Sequence, residues 1–489
     1  MSLSAVASSV IDDLAARPGT GEAIAVVDPS TEERITEFPD AGPEAVNTAV
    51  AAAKASYDSG VWTDIPGRQR AKALWRLGDL IDEHAKAFAE LESLDAGMPP
   101  MQAEMIVSTC AEFFRYYAGW CTKINGSSYQ VQMEGGVNST HANFHAYTQK
   151  EPYGVVGLIY PWNGPLFNAC AKIAPALAAG CSAVVKPAEE TPLSAVLLER
   201  LIAEAGIPEG VANFVIGYGA TAGAAITAHP DVEKVAFTGS TEVGKQIMRE
   251  SADNLKKVTL ELGGKSPVLI YEDADLDMAI MMASMGIFVH SGQGCVCGSR
   301  VFVQRSVYDR VVAGISMIGE NLVLGGPQDE GAMISPLVSQ KQLDRVMGYI
   351  DQGKRDGAEI VSGGYRLDRK GYFIKPTVVT GVDPETSSLY KEEIFGPVVT
   401  ILPFDDDDEA IAMANDTNYG LAATAWTTNL ARAHNLGKRL NAGMVGLNCQ
   451  LTFDHNVPFG GYKHSGIGKE FGYEGIDGYL KTKSIWAAL

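Results

Sequence analysis

Positive charge is in short supply, with 39 Lys and Arg against 59 Asp and Glu, a formal net charge of −20 in 489 residues. A surface of that average sign repels a duplex or an anionic bilayer, so neither nucleic acid nor membrane is an expected partner. Cysteines are few and odd in number: Cys110, Cys121, Cys170, Cys181, Cys295, Cys297 and Cys449 lie scattered along the chain. Such usage argues against a disulfide framework and for reduced thiols in a cytoplasmic protein. The amino-terminal MSLSAVASSVIDDLAARPG has no basic n-region and meets Asp12 and Asp13 early, so it does not read as a secretory signal. Long apolar runs are missing as well. The charge-free stretch Met278 to Ser299 is apolar only to Val289 before turning polar at His290, too short to span a bilayer. Internal repeats and low-complexity tracts are absent. What is present is a chain 46% apolar, long enough for roughly three domains of ~150 residues. Its 52 glycines exceed the usual ~7% and predict many tight turns or close backbone approaches.

Two long helical patterns dominate the first 125 residues, Pro43 to Tyr57 and Arg68 to Leu94. From Tyr129 to Tyr147 short polar and aromatic segments broken by Gly135 and Gly136 predict a hairpin or strand pair, a candidate oligomer contact. Strands at 155–160, 183–185, 213–216 and 234–237 then alternate with helices at 165–179, 194–205 and 220–228. A second alternating series runs from Ser266 to about Gly446, with strands at 301–303 and 398–401. The alternation predicts an α/β fold of two Rossmann-like parallel lobes. The acidic run Asp405 to Glu409 reads as a solvated loop whose last Asp caps a helix beginning near Glu409. His141 and His145 form HxxxH in an extended setting, where the spacing does not give the one-face pair of a helix, so no metal site is expected.

Several segments have the composition of a site. Gly217 to Gly223 is GxGxxxG between a strand and a helix, one residue off the dinucleotide fingerprint. A second glycine turn, Phe237 to Gly244, again stands after a strand and before a helix. There Gly239 would let a ligand approach the backbone, and the N–H groups of the helix start favour a phosphate. Cys295 is flanked by glycines, and Arg300 is near enough in sequence to favour a thiolate; the alternative is a buried free cysteine, and Cys297 reads as structural. Glu261, between leucines at the end of a β-like run, is either a desolvated base or an acid paired with Lys265 or turned to solvent.

Seven segments in order carry a family resemblance: Pro161-Trp162-Asn163, Lys186-Pro187-Ala188-Glu189, the Phe237 to Gly244 turn, Glu261-Leu262-Gly263-Gly264-Lys265, Gln293 to Arg300, Glu393-Ile394-Phe395-Gly396-Pro397 and Pro458-Phe459-Gly460-Gly461. From about Ile24 to Trp486 the chain resembles the aldehyde dehydrogenase superfamily. The resemblance implies a Cys295 thiolate attacking an aldehyde, an oxyanion held by the Asn163 amide and the Cys295 N–H, hydride passing to a nicotinamide, and a thioester hydrolysed by water that Glu261 activates. It implies NAD as cofactor, its adenine ribose held by Lys186 and Glu189, whose carboxylate disfavours a 2′-phosphate. Ser240 matches a pyrophosphate contact, Glu393 and Phe395 the nicotinamide-ribose clamp. Trp162, Gly219, Thr238, Gly239, Gly244, Leu262 and Gln342 complete the implied cofactor contacts.

Gly164, Ala171, Val289 and Gly294 are small where relatives often carry bulk, with Val296, Phe167, Phe453 and Phe459 beside them and Asn168 as a polar exception. They suggest a roomy, mostly apolar tunnel for an aromatic or terpenoid aldehyde such as phenylacetaldehyde or geranial, unless other side chains refill the space. Tyr117 to Ile124 is similar to phenylacetaldehyde-type members. Other readings are a small aliphatic aldehyde as substrate, coenzyme A as acyl acceptor, an inactive binding protein, or a nucleotide-free cysteine hydrolase using a histidine such as His290. The resemblance divides the chain into an NAD-binding domain (1–127 and 151–262), a catalytic domain (263–465) and a small β oligomerisation element (128–150 and 466–489). A homodimer or homotetramer is expected.

Overall fold

The structure, a computed structural model, describes residues 3–132, 143–450 and 453–488. A six-stranded sheet takes the spatial order 466–467, 257–261, 232–238, 155–159, 182–186, 212–214, and its strands pair in parallel except for Gly466–Ile467 against Leu260 and Glu261. Val155–Ile159 and Ser182–Lys186 are buried at every residue, which accounts for their unbroken apolar character: helices cover both faces of a parallel sheet. A seven-stranded sheet, ordered 359–362, 377–380, 398–404, 300–304, 267–270, 422–426, 444–447, forms the second lobe, with only Glu359–Ser362 antiparallel to its neighbour. These are the two Rossmann-like lobes that the alternation predicts.

A third, antiparallel sheet joins Ser128–Gln132 and Asn143–Pro152 to the tail strand Leu480–Ala488, which pairs over nine residues from Leu480↔Pro152 to Ala488↔Phe144. The middle of the predicted hairpin, with His141, lies outside the described residues; His145 meets Ser128 Oγ at 3.0 Å. Among the described residues no group of three or more His, Cys, Asp or Glu is placed to hold a metal, and no helix is long and apolar enough to cross a membrane.

Two sequence expectations need correction. The pattern from Arg68 to Leu94 is two helices, Gly67–Glu83 and Ala85–Asp95, broken at His84, whose ψ of 14° leaves the helical region; apolar periodicity persists across a break that turns the backbone without moving the buried face. In the acidic run, Asp406 rather than the last Asp is the cap, accepting from the Glu409 N–H, so Asp407 and Asp408 fall in the first turn of Asp407–Asn415.

Candidate active site

Glu261 ends the strand Lys257–Glu261 and is 2% exposed, yet neither carboxylate oxygen finds a hydrogen-bond partner among the described residues. Burial holds its carboxyl well above the usual carboxylate range; nearby Glu470 adds to this, while Lys172 and Lys469 partly offset it. Lys172, on the helix Pro165–Ala179, forms a buried ion pair with Glu470. The pairing with Lys265 left open by the sequence does not occur, since the Lys265 Nζ is buried without a partner. A side chain at 460 would collide with Glu261: a Cβ there would stand 2.6 Å from Oε1, and Gly460 has φ +147°.

Immediately after Glu261, Gly263 and Gly264 let two other groups come close. A Cβ on Gly264 would lie 2.2 Å from the Cys295 carbonyl oxygen, and one on Gly263 2.3 Å from Glu393 Oε2. The glycine pair therefore draws together the cysteine loop and the Glu393 carboxylate, whose Oε1 accepts from the Gly264 N–H at 2.8 Å. Burial pushes the Glu393 carboxyl up to about 7.

Cys295 is partly exposed in the loop that precedes the strand Arg300–Gln304. Its thiol is pushed up by desolvation, then by the fields of Glu393, Cys297 and Glu261. Arg300 does not oppose this, contrary to the sequence expectation. It is fully buried, and its guanidinium donates to the carbonyls of Lys265, Met413, Ala414 and Asp416, a structural brace between strand and loop. Asn163, just before the helix Pro165–Ala179, donates from Nδ2 to the Gln293 carbonyl at 2.8 Å, which brings its amide to the cysteine loop. Gln293 is itself fixed by the Val338 N–H and by donation to the His290 and Pro336 carbonyls. His290 and Ser291 both have left-handed backbone, φ +51° and +53°. The His290 ring meets Ser335 Oγ through Nδ1 at 3.2 Å, and burial pushes it down to about 4, so it is neutral.

The cofactor candidates gather on the six-stranded sheet. Lys186 Nζ, buried, donates to the Pro187 carbonyl at 2.8 Å and to Glu189 Oε2 at 2.9 Å, while Glu189 Oε1 accepts from the Gly219 N–H at 3.3 Å. Gly219 opens a wide helical turn, Gly219–Gly223, with nothing within 4 Å of where its Cβ would stand. The second turn is pinned by the Gly239 N–H on the Glu261 carbonyl at 3.0 Å, and Ser240 caps the helix Thr241–Ser251, which packs its Gly244 against Leu262. Thr238 Oγ1 is buried without a partner at the mouth of this turn. Trp162 stands edge-on to Phe395, ring centroids 5.4 Å apart, and Gln342 Nε2 holds the Phe395 carbonyl at 2.8 Å. An orphan hydroxyl, an open glycine turn and a helix N-terminus within one sheet suit a dinucleotide.

Four residues beyond Asn163, Phe167 opens a cluster of aromatic rings. Phe167 faces Phe453 at 6.0 Å, Phe453 faces Phe459 at 5.6 Å, and Phe113 and Phe471 back them. Not every small residue opens space. Ala171 is 1% exposed inside the core, and a Cβ on Gly294 would meet Cys297 Sγ at 2.9 Å, so at those two positions neighbours refill the volume. Val289 and Val296 are partly exposed, Val296 against the core of the first lobe. Lys172, Glu470, Phe113 and Phe471 escape sequence reasoning. Phe113 sits on the helix Pro100–Ala118, and the other three carry no local motif.

The chain is similar to known proteins over nearly its whole length. The profile described as "Aldehyde dehydrogenase family" matches residues 16–485. The chain is 44% identical over 472 residues to "Benzaldehyde dehydrogenase, mitochondrial" of Antirrhinum majus, covering 96% of this chain and 86% of that protein. It is 42% identical over 468 residues to "Aldehyde dehydrogenase 1" of Tanacetum cinerariifolium, covering 95% and 92%. Its structure is similar to the NAD+ complex of aldehyde dehydrogenase from Bacillus cereus, with a TM-score of 0.95, 44% identity and coverage of 100% and 99%. With nearly the whole length matched by the profile, by curated enzymes and by a solved structure, the chain belongs to the aldehyde dehydrogenase family.

Proposed function

We propose that this protein oxidises a bulky, hydrophobic aldehyde to its carboxylic acid with NAD, using Cys295 as nucleophile, Asn163 as oxyanion donor and Glu261 as base. NAD, when bound, supplies the acceptor for the hydrogen and electron pair that leave the aldehyde carbon. Lys186, Glu189 and Gly219 would hold the adenosine end, Thr238, Gly239, Ser240 and Gly244 the pyrophosphate, and Leu262, Trp162, Gln342, Glu393 and Phe395 the nicotinamide end. The carboxylate of Glu189 disfavours a 2′-phosphate, hence NAD over NADP.

Burial favours the protonated Cys295 thiol, which gives up its proton to solvent water as Sγ attacks the carbonyl carbon. The oxyanion that forms is met by the Asn163 amide and the Cys295 N–H. Glu261, in the end, takes the proton of the water that cleaves the acyl–sulfur bond, releasing acid and thiol. The observation that carries this reading is the buried Glu261 carboxylate, both oxygens unpartnered among the described residues, on the segment whose glycines bring up Cys295. Phe167, Phe453 and Phe459 supply an apolar wall for the substrate. A small aliphatic aldehyde is the second reading, favoured by the refilled space at Ala171 and Gly294.

An aldehyde panel with NAD and NADP at equal concentration tests the proposal. The expected result is NADH formation with kcat/KM higher for phenylacetaldehyde or geranial than for acetaldehyde. A preference for acetaldehyde would overturn the bulky-substrate reading. The antiparallel sheet of 128–132, 143–152 and 480–488, which exposes Tyr129, Tyr147 and Trp486, is proposed as the contact of a homodimer or homotetramer. The unpaired thiols suit the cytoplasm.

A further inference from the structure

Asn168 is a carboxamide beside Phe167, whose ring meets Phe453, and it lies five residues from Asn163; its hydrogen bonding is one-sided. Its main-chain N–H and its side-chain Nδ2 both donate to the Gly164 carbonyl, each at 2.9 Å. A carbonyl can only accept, so this contact fixes which end of the amide is nitrogen and turns Oδ1 away from the helix start. Oδ1 receives no hydrogen bond from any described residue, and the side chain is only partly buried.

Its direction follows from the helix. Gly164, Asn168 and Lys172 stand at i, i+4 and i+8 of the segment that becomes Pro165–Ala179, and so share one face. One end of that face adjoins Asn163, and the other carries the Lys172–Glu470 pair whose charges act on Glu261. Asn168 thus sits between two groups of the active site, with Phe167 next to it and Phe453 beyond. The missing side chain at Gly164 leaves the amide unpressed: a Cβ there would stand 3.3 Å from Asn168 Nδ2.

We propose that Asn168 determines specificity, its Oδ1 accepting a hydrogen bond from a hydroxyl on the ring of an aromatic aldehyde. The proposal rests on the bulky-aldehyde reading and narrows it from a hydrocarbon to a hydroxylated ring. A plain hydrocarbon ring would strip water from Oδ1 and return nothing, while a hydroxyl at the right position restores the lost bond. Discrimination of this origin is about ten- to a hundredfold.

The test compares kcat/KM for acetaldehyde, benzaldehyde, the three hydroxybenzaldehydes and the three methoxybenzaldehydes, at a pH where the phenols are protonated, in the wild type and in Asn168→Leu and Asn168→Met. Both replacements keep the bulk and lose the acceptor, and the ratio between substrates does not depend on the fraction of enzyme that folds. The wild type is expected to favour at least one hydroxyl isomer about tenfold over benzaldehyde and over the methoxy ether at the same position, and both variants to bring that ratio near one. No hydroxyl preference in the wild type, or one that survives in both variants, would overturn the assignment to Asn168 while leaving the bulky-aldehyde reading standing. Acetaldehyde outrunning every ring would remove that reading and this proposal together.

Discussion

Glu261, a carboxylate at 2% exposure with neither oxygen partnered among the described residues, is costly to ionise, and that cost is the source of its basicity. A base must be ionised to act, so kcat is expected to rise with pH through a limb placed well above the ordinary carboxylate range. Glu470 raises the Glu261 carboxyl and Lys172 lowers it. Glu470→Gln removes the raising charge and frees Lys172 from its pair, and both changes move the limb to lower pH, by about one unit. A pH profile of kcat checks this; a limb that stays put or moves up would contradict it. The motifs around Cys295 and Asn163 were legible in the sequence, and the structure brings the Asn163 amide to the cysteine loop. What space decides was illegible: Arg300, five residues from Cys295, spends its guanidinium on the carbonyls of Lys265, Met413, Ala414 and Asp416, and Lys172 meets Glu470 across nearly three hundred positions.

At the scale of elements, the site is made by close approaches of backbone that glycine alone permits. The strand Lys257–Glu261, the cysteine loop and the segment around Glu393 converge on Gly263 and Gly264. Gly264→Ala would set a methyl group 2.2 Å from the Cys295 carbonyl oxygen, a main-chain atom that cannot step aside as a side-chain tip can. The loop must shift, and a displacement near 1 Å costs about a hundredfold in rate. Steady-state kinetics should show that loss in kcat, with a smaller loss in NAD affinity by calorimetry, since Lys186, Glu189 and the Gly239 turn lie elsewhere on the sheet and only Glu393 among the cofactor candidates is held by the Gly264 N–H. An equal loss in NAD affinity would mean that the sheet itself had been disturbed. The strands that build this sheet were readable because burial on both faces demands continuous apolar runs, as in Val155–Ile159. The break at His84 was not, because the apolar residues on either side keep facing the same core.

Across the whole molecule, the two parallel sheets and the third, antiparallel one account for the strand alternation, and the glycine excess finds its places in the turns around the site. The −20 charge has no structural explanation beyond solubility. The tail strand Leu480–Ala488 completes the three-stranded sheet, with Trp486 58% exposed. Removal of residues 480–489 should therefore leave a protein that sediments as a smaller species than the full chain; unchanged sedimentation would place the subunit contact elsewhere. The central claim is that Cys295 forms an acyl-enzyme that only Glu261 can release at speed. It is tested most directly by rapid mixing of Glu261→Gln with saturating NAD and aldehyde, reading NADH absorbance. A burst of about one NADH per chain followed by a halt is expected, because acylation survives and hydrolysis does not. Sustained turnover at the wild-type rate would contradict it.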